Sequence, residues 1–563
     1  MRKLVEFSKK HELAIRFIIA LFVSLLFMAG SFLWGSYIYE TNDDETMNFI
    51  AAGAYGKEYS QYLIFSNIIY GYLLKGLYYI FPGINCYLAT MLGLDVLAFT
   101  FLTIALAKRF SIEGLFTVSV LINALLTPRF YAELQFTKNA SLYAVVGFLV
   151  YLMFVKTEPD RKAYYRCMRL IGMAFMMLSV LVRWQCFFLI LPIAGITYLF
   201  QCLYLFLKKD NWKECVHLRE LACFALVVIA LLGLQKLAYS SEEWKEYQKY
   251  YAITARILDY GDLQYDTNQE EVGVHPIEID MIKRWDWADF DNYDLSHLGE
   301  IAEAKEKSHT GAVSLKNVWY TILEANAELL CVWLIVAIIT ITITKSKLLV
   351  FQQISFGALS FIYYGYFTHL YRAMERVILG VWLAFIIYTI AFGVYTLETE
   401  TVKVQNTWLI ATMIIVVVLG KQYKNYDLIK GKQYVETMSY TSTLLNSMHE
   451  DDESLYFLDP LTFGGAKTDN LIILDARYKD YYNNMFMLGG WMLHSPAVNH
   501  EYEECGIRNP FDTMLQNENA YYVGDMKSLE DIQKYYNDVQ NKQIKTQLVQ
   551  EFNQIYIWKL SEE

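Results

Sequence analysis

The sequence lacks the motifs by which many soluble enzymes are identified. Its 563 residues contain no GxGxxG, P-loop or HExxH pattern, and its eight cysteines include no CxxC pair. The chain therefore carries no signature of a dinucleotide site, a phosphate-binding loop, a zinc protease, a zinc ribbon or a redox pair. Basic residues are also in deficit, since the net charge is −11 at pH 7, and this argues against a nucleic-acid partner.

Apolar residues are what the chain has in excess. They make up 55% of the sequence, against roughly 45–50% in soluble domains. A membrane span needs about 20 mostly apolar residues, which predicts a polytopic α-helical membrane protein with about 11 transmembrane helices. The apolar runs lie at about residues 13–37, 85–107, 111–127, 139–155, 170–182, 186–207, 220–238, 326–344, 348–367, 377–397 and 405–420.

The distribution of charge predicts how these spans are oriented. Lysine and arginine cluster before the first span and in alternate short connections, as the positive-inside rule requires of cytoplasmic segments. Residues 239–325 instead carry 18 acidic against 8 basic side chains, and residues 421–563 carry 22 against 13. We therefore predict a multi-pass protein of the cell membrane, with a transmembrane domain over residues 1–420, a cytoplasmic N-terminus and an extracytoplasmic C-terminal domain.

One apolar run does not fit this count. Residues 62–81 are long enough to span, but Ser66, Asn67 and Lys75 lie in the middle of the run. An extra span here would also turn the most basic connection outward. We predict an interfacial or re-entrant segment within a first outer loop of residues 38–84; an ordinary span with an irregular partner elsewhere is the alternative.

The predicted cytoplasmic connections are too short to hold a domain of the usual 50–250 residues. The mass outside the membrane is the first loop, the large loop of residues 239–325 and the C-terminal domain. The pattern of that last domain is typical of a small α/β fold, with short strands predicted at residues 454–459, 471–474, 520–524 and 555–558. Chemistry on the outer face would need an activated substrate that arrives on a membrane lipid.

Three acidic residues follow the outer end of the first span. Asp43, Asp44 and Glu45 come where the apolar chain meets water. A carboxylate here could act as general base on a sugar hydroxyl, and Asp43 and Asp44 could hold a divalent cation, Mg or Mn, against a phosphate. Helix capping is the alternative, because Thr41 or Asn42 suits an N-cap and acids in a first turn complement the helix dipole.

A second group lies between two late spans. His369, Arg372 and Arg376 are spaced i, i+3 and i+7, so a helix would place them on one face. Arginine binds phosphate oxygens bidentately, which suits the phosphate of a lipid carrier. The alternative is an exposed connection with an internal pair between Arg372 and Glu375.

Other outer connections supply further candidates. Glu133 could be a second carboxylate that faces Asp43 or Asp44, and Lys138 lies in the same connection. Arg183 divides two apolar runs, where an arginine is costly unless it pairs or reaches the surface. It could therefore join the phosphate-binding group or simply extend to the membrane surface.

The large loop interleaves aromatic and acidic residues from Trp285 to Asp294. A pyranose face stacks on an aromatic ring, while Asp and Asn bind hydroxyl groups. Trp285 and Trp287 are therefore candidates for carbohydrate binding. The alternative is an acidic loop whose aromatic rings pack against the membrane.

The acidic pair of the first outer loop, the interfacial segment beside it, about eleven spans and an outer soluble tail together resemble the GT-C superfamily. These are multispanning glycosyltransferases that use polyprenyl-phosphate-linked sugars, and a first-loop Asp or Glu activates the acceptor or binds a metal. The matching residues are Asp43 and Asp44, and the resemblance covers roughly the first two thirds of the chain. The chain also resembles bacterial envelope membrane proteins of unknown substrate. It has no WWD motif, which argues against protein N-glycosylation.

The resemblance implies transfer of a sugar from a polyprenyl-phosphate donor to a cell-envelope glycan or lipid acceptor on the outer face. The first-loop acids would supply the base or metal ligand, and His369, Arg372, Arg376 and Arg183 would bind the lipid phosphate. A transporter or flippase of lipid-linked saccharide is one alternative, favoured by the intramembrane Asp95. A non-catalytic envelope assembly protein is the other.

Overall fold

The computed structural model describes residues 2–34, 37–308, 314–397, 441–463 and 479–563. The first eight α-helices are α1 (Arg2–Trp34), α2 (Asn42–Ala52), α3 (Ile68–Ile80), α4 (Cys86–Leu106), α5 (Ile112–Thr127), α6 (Phe136–Met153), α7 (Lys162–Leu207) and α8 (Leu218–Ala238). The next seven are α9 (Glu242–Leu258), α10 (Thr267–Glu271), α11 (Pro276–Lys283), α12 (Leu295–Ser308), α13 (Leu315–Thr344), α14 (Lys347–His369) and α15 (Glu375–Thr396).

Nine helical stretches in the described part of the chain are long and apolar enough to cross a membrane. One of them contains α7 and runs for 49 residues, about twice the length that a span needs. Helical backbone angles break inside it at Arg183 (φ −157°, ψ 97°), between the two apolar runs predicted as separate spans. The predicted polytopic α-helical membrane fold is thus confirmed, while the last predicted run, 405–420, lies outside the described residues.

The chain reverses its direction at Arg183. Lys156, which precedes α7, forms an ion pair with Asp210, which follows it, so both ends of α7 lie at the same end of the bundle. Arg183 instead donates a 2.7 Å hydrogen bond to Thr137 Oγ1 at the opposite end of α6. The helix α7 is therefore a hairpin of two arms, each long enough to be one of the predicted spans.

The two ends of the bundle differ in charge. At the end that we call the basic end, Arg16 donates to Phe110 O and Lys108 to Met153 O, each at 2.8 Å. Lys156 and the basic residues around it lie at this end as well. The opposite end, the site end, carries α2, α3, α9 to α12 and the C-terminal domain. The orientation with the site end outside stays a prediction.

The run at residues 62–81 contributes one short helix. Its helical part, α3, has 13 residues and rises about 20 Å, less than the roughly 30 Å hydrocarbon core. The Asn67 side chain caps α3 by accepting from Ile69 N at 3.0 Å, and it donates to Leu231 O of α8 at 3.0 Å. The segment therefore packs beside the site end of α8, in keeping with the prediction that it does not span.

Strands β1 (Ile38–Tyr39) and β2 (Glu133–Leu134) form a short parallel pair at the site end. The C-terminal domain has a five-stranded sheet in the order β4-β3-β5-β7-β6, parallel among β4, β3 and β5 and antiparallel beyond. Its strands are β3 (Leu455–Leu458), β4 (Met485–Met487), β5 (Ala520–Gly524), β6 (Ile544–Phe552) and β7 (Ile555–Glu562). Its helices are α16, described over 441–449, α17 (Pro460–Phe463), α18 (Pro496–Glu504), α19 (Pro510–Gln516) and α20 (Met526–Asp538).

The α/β prediction for the tail is confirmed over three of its four strands, and the predicted strand at 471–474 lies outside the described residues. A buried ion pair joins this domain to the large loop. Arg284 donates to both carboxylate oxygens of Asp459, at 3.1 and 2.7 Å, where β3 ends. Arg284 also lies 3.3 Å from Asp525, where the neighbouring β5 ends. The large loop and the tail are therefore packed as one unit.

The orientation can be tested by labelling single cysteines in intact cells, on a background without the native cysteines. Lys162→Cys at the basic end should be protected from an impermeant thiol reagent. Glu503→Cys, which is also exposed but lies at the site end, should react. Labelling of position 162 and protection of position 503 would contradict an outer site.

Candidate active site

A cavity of about 690 Å³ lies between the site end of the bundle and the C-terminal domain. This volume is within the range of pockets that bind small ligands. The walls come from α2, the reversal of α7, α9, the connection between α14 and α15, the large loop and the ends of β3 and β4. Five of the predicted site residues line it: Asp43, Arg183, Trp285, Arg372 and Arg376.

Asp43 is the acid of the predicted pair that faces this cavity. It lies in the first turn of α2, and its carboxylate is 3.7 Å from the guanidinium of Arg376. Burial raises the pKa of Asp43, an effect that Arg376, Arg183 and Arg372 oppose and that the nearby Asp259 reinforces. A raised pKa makes the ionised carboxylate a stronger base, which suits a general base.

Asp44 faces the protein interior instead. Its side chain is fully buried, and Oδ1 accepts hydrogen bonds from the Tyr87 hydroxyl and from Phe136 N, both at 2.9 Å. Burial raises the pKa of Asp44 well above its usual value. The assignment of Asp44 as a base or metal ligand in the cavity is therefore corrected: successive residues of a helix point about 100° apart, and only Asp43 reaches the cavity.

Arg372 is held by an acid that the sequence analysis did not find. Asp259, which ends α9, places a carboxylate oxygen 2.7 Å from Arg372 Nη1, and both residues line the cavity. The guanidinium also lies 5.5 Å from the ring centre of Tyr260. Asp259 is one of 18 acids in the large loop, and nothing in its spacing distinguishes it.

Arg183 reaches the cavity from the reversal of α7. It donates to Thr137 Oγ1, and its guanidinium carbon lies 4.8 Å from the ring centre of Phe136. Neither of these partners is charged. The positive charge of Arg183 is close enough to Asp43 to lower the pKa of the Asp43 carboxyl group. The predicted cost of an arginine inside a span is therefore avoided, because Arg183 lies where the chain turns at the end of the bundle.

His369 does not join the arginines. The helix α14 ends at His369 and the next helix begins at Glu375, so Arg372 lies in the connection between them. The predicted continuous helix is therefore wrong, and His369 is not among the residues that line the cavity. The alternative, an internal pair between Arg372 and Glu375, is not seen either, because Arg372 pairs with Asp259 and Glu375 pairs with Arg129 at 2.8 Å.

Glu133 and Lys138 also lie away from the cavity wall. Glu133 belongs to β2, where it pairs with Ile38 and is 5% exposed. The Lys138 ammonium is buried and forms an ion pair with Glu40. Neither residue is part of the described cavity wall, so the roles of Glu133 as a second carboxylate and of Lys138 as a substrate ligand gain no support there and stay predictions.

The two tryptophans of the large loop have different environments. Trp285 is half-buried and lines the cavity, whereas Trp287 is 2% exposed in the core that the large loop shares with the tail. The backbone of Trp285 is left-handed, with φ +65°, and the chain turns there before Trp287 enters the core. Stacking of a sugar on Trp287 is therefore excluded, and Trp285 alone keeps that assignment.

The described residues show no ready-made site for the predicted cation. They contain no group of three or more His, Cys, Asp and Glu side chains placed to hold a metal ion. The charged neighbours of Asp43 are guanidinium groups, and Asp44 is bonded inward. Dependence on Mg or Mn therefore stays a prediction.

The intramembrane Asp95 is bonded within the bundle. Its two carboxylate oxygens accept from Asn139 Nδ2 at 3.0 Å and from the Tyr143 hydroxyl at 2.9 Å, both on α6. Asp95 is fully buried and is not part of the cavity wall. This arrangement favours a hydrogen-bonded structural acid over a proton relay.

Glu501 of α18 is a second cavity residue that the sequence analysis did not single out. Its side chain is 5% exposed. Burial raises the pKa of Glu501 to about 7, and the nearby Asp480 and Glu504 add to the effect. Near neutral pH this carboxyl group is therefore divided between a form that donates a hydrogen bond and a form that only accepts.

No protein-family model matches the sequence, and no curated protein matches it. Among solved structures, the chain is similar to the crystal structure of ArnT from Cupriavidus metallidurans in the apo state. The identity is 9% and the TM-score 0.42, and the alignment covers 96% of this chain and 97% of that chain. At these values the likeness carries no argument about activity, so the function must be argued from the site itself.

The raised pKa of Glu501 predicts a dependence of stability on pH. Between the ordinary value and about 7, the unfolded chain releases a proton that the folded chain retains, so the free energy of unfolding falls as the pH rises. When the pH is raised from about 5 to about 8, the melting temperature of Glu501→Gln should therefore fall less than that of the unmodified protein. Glu503→Gln, at an exposed position of the same helix, is the control and should behave as the unmodified protein.

Proposed function

We propose that the protein is a membrane glycosyltransferase of the GT-C type. It would transfer a sugar from a polyprenyl-phosphate-linked donor to a hydroxyl group of a cell-envelope glycan or lipid acceptor on the outer face. The observation that carries this proposal is that Asp43 and three arginines share one cavity at the site end of the bundle. A base beside a cluster of phosphate-binding cations is what this reaction needs.

Asp43 is the proposed general base. Its carboxylate accepts the proton of the acceptor hydroxyl as the hydroxyl oxygen attacks the anomeric carbon of the donor sugar. The bond between that carbon and the phosphate oxygen breaks, and the electron pair leaves with the polyprenyl phosphate. Burial of Asp43 supports this role, because it raises the pKa of the carboxyl group and so the basicity of the carboxylate.

Arg183, Arg372 and Arg376 are the proposed phosphate ligands. Guanidinium groups bind phosphate oxygens through paired, charge-assisted hydrogen bonds. The leaving phosphate gains negative charge as the glycosidic bond breaks, and cations already in place stabilise that charge without reorganisation. The ion pair with Asp259 holds Arg372 in position for this contact.

The position of the cavity supports a lipid-linked donor. The cavity lies where the spanning helices end, so a polyprenyl chain could remain among the lipids while its phosphate reaches the arginines. Most of the lysine- and arginine-rich connections among the described residues lie at the opposite end, which by the positive-inside rule supports a cavity on the outer face. A sugar linked to a membrane lipid is the kind of activated donor that could reach a site in this position.

The alternative functions are less well supported. A transporter needs a substrate site near the middle of the membrane, whereas the cavity lies at the end of the bundle and Asp95 is engaged by Asn139 and Tyr143. A non-catalytic assembly protein would need no base, so loss of the Asp43 carboxylate would leave its role intact.

Asp43→Asn tests the base directly. The variant keeps the size and polarity of the side chain, and the lost helix-dipole contribution is about 0.3–1 kcal/mol, too small to prevent folding. We expect normal expression with transfer reduced by about two orders of magnitude or more. Transfer is measured by mass spectrometry of envelope glycans and, for purified protein, with an envelope lipid extract as the donor source.

The matched control is Asp160→Asn, which changes an exposed acid in the first turn of a short helix at the basic end. It should transfer sugar at the normal rate. Full transfer by Asp43→Asn would show that the base has been assigned wrongly.

Arg372→Gln and Arg376→Gln test the phosphate site separately from the base. Loss of one hydrogen-bonded charge contact costs about 1.5–3 kcal/mol, so the KM for the donor should rise by about one to two orders of magnitude. Arg129→Gln removes an exposed arginine that pairs with Glu375 near the same end, and it should leave the donor KM unchanged. An unchanged donor KM in both cavity variants would contradict this assignment.

A further inference from the structure

One side of the cavity is a surface that we call the aromatic wall, formed by Phe65, Tyr251, Trp285 and Trp491. These residues come from the turn before α3, from α9, from the large loop and from the tail. The ring centre of Phe65 lies 4.6 Å from that of Trp491 and 6.0 Å from that of Tyr251. Both tryptophans are only half-buried, so part of each ring remains open to the cavity.

The backbone around both tryptophans is tightly constrained. Trp285 has φ +65°, and its carbonyl oxygen accepts from Gly490 N at 3.0 Å. A Cβ atom on Gly489 would lie 1.7 Å from that same oxygen, so a larger residue would displace Trp285. Such strained backbone persists where surrounding structure enforces it and is frequent at ligand sites.

Trp491 is fixed by a different element. Its carbonyl oxygen accepts from the Tyr247 hydroxyl of α9 at 2.8 Å. The glycine pair 489–490 therefore joins the two tryptophans of the wall, one from the large loop and one from the tail. Because the backbone at both tryptophans is held, ordering their rings against a flat apolar face costs less conformational entropy.

Polar side chains accompany the aromatic wall in the same cavity. Asn42, Asp43 and Glu501 all line it. An amide and two carboxyl groups provide donors and acceptors for hydroxyl groups. A lipid tail would leave these groups unpaired at a cost, whereas a pyranose ring offers both an apolar face and a set of hydroxyl groups.

We propose that the aromatic wall is the acceptor subsite and that the acceptor is a saccharide, whose pyranose face stacks on Trp285 and Trp491 while one hydroxyl reaches Asp43. The reaction at Asp43 rests on the proposed function, whereas binding of the saccharide does not. The proposal narrows the acceptor to the carbohydrate part of the envelope. It also gives the C-terminal domain a role, since the tail supplies Trp491 and Glu501.

The test is a binding measurement on the full-length protein in lipid nanodiscs by titration calorimetry. The probe is the saccharide fraction released from the envelope of cells that lack the protein, freed of lipid, because it contains the unmodified acceptor. We expect saturable binding by the unmodified protein. Periodate treatment of the probe, which cleaves vicinal diols, should abolish it.

Trp285→Leu and Trp491→Leu keep an apolar side chain but remove the ring face. Each should weaken binding by about two- to tenfold, the range expected for one aromatic stacking contact, while Trp285→Phe should retain most of the affinity. Trp212→Leu changes an exposed tryptophan at the basic end, away from the cavity, and is the control. A melting temperature close to that of the unmodified protein verifies that each variant is folded.

Three outcomes would overturn the subsite: no binding of the untreated fraction, equal binding by both leucine variants, or binding only before the lipid is removed. The binding assay separates this proposal from the proposed function, because it is run without a donor and does not depend on sugar transfer. Binding without any transfer by the unmodified protein would refute the function and keep the subsite. Sugar transfer by the unmodified protein, together with unchanged saccharide binding in both leucine variants, would refute the subsite and keep the function.

Discussion

The geometry of the cavity depends on the buried carboxylate of Asp44. By accepting hydrogen bonds from Tyr87 and Phe136, Asp44 ties the first turn of α2 to α4 and α6. A buried carboxyl group is costly unless such bonds offset its desolvation. The two bonds to Oδ1 therefore hold the register of α2, and the preceding residue, Asp43, is directed into the cavity. Phe136 also supports Arg183 through its ring. One small set of contacts therefore positions both the proposed base and one of the phosphate ligands.

The second constraint is the close packing of the bundle around the reversal of α7. A Cβ atom on Gly147 of α6 would lie 2.6 Å from Met176 N, and one on Gly172 of α7 would lie 2.7 Å from Gly147 O. Small residues allow spanning helices to approach this closely. The first arm of α7 is thereby held against α6, and Arg183 emerges where α6 begins. Packing between α6 and α7 within the bundle thus determines where the guanidinium of Arg183 lies at the end of the bundle.

The sequence was sufficient for the membrane fold but only partly for the site. Long apolar runs are a strong local signal, and the charge at Arg183 correctly divided two of them. Which of two adjacent acids faces a cavity depends on tertiary contacts, so Asp43 and Asp44 could not be separated. The left-handed turn at Trp285, which buries Trp287, has no marker in the local sequence. Asp259 was missed because only the folded chain brings it to Arg372.

The ion pairs in the cavity suggest how donor binding and base strength are coupled under the proposed function. Arg376 lies 3.7 Å from Asp43 and lowers the pKa of the Asp43 carboxyl group, against the larger effect of burial. A donor phosphate would compete for Arg376 and supply a negative charge near Asp43, and both changes raise that pKa. The carboxylate would then become a stronger base when the donor is in place. Arg372 is paired with a different acid, Asp259. Arg372 would therefore stay in position while Arg376 exchanges Asp43 for the donor phosphate.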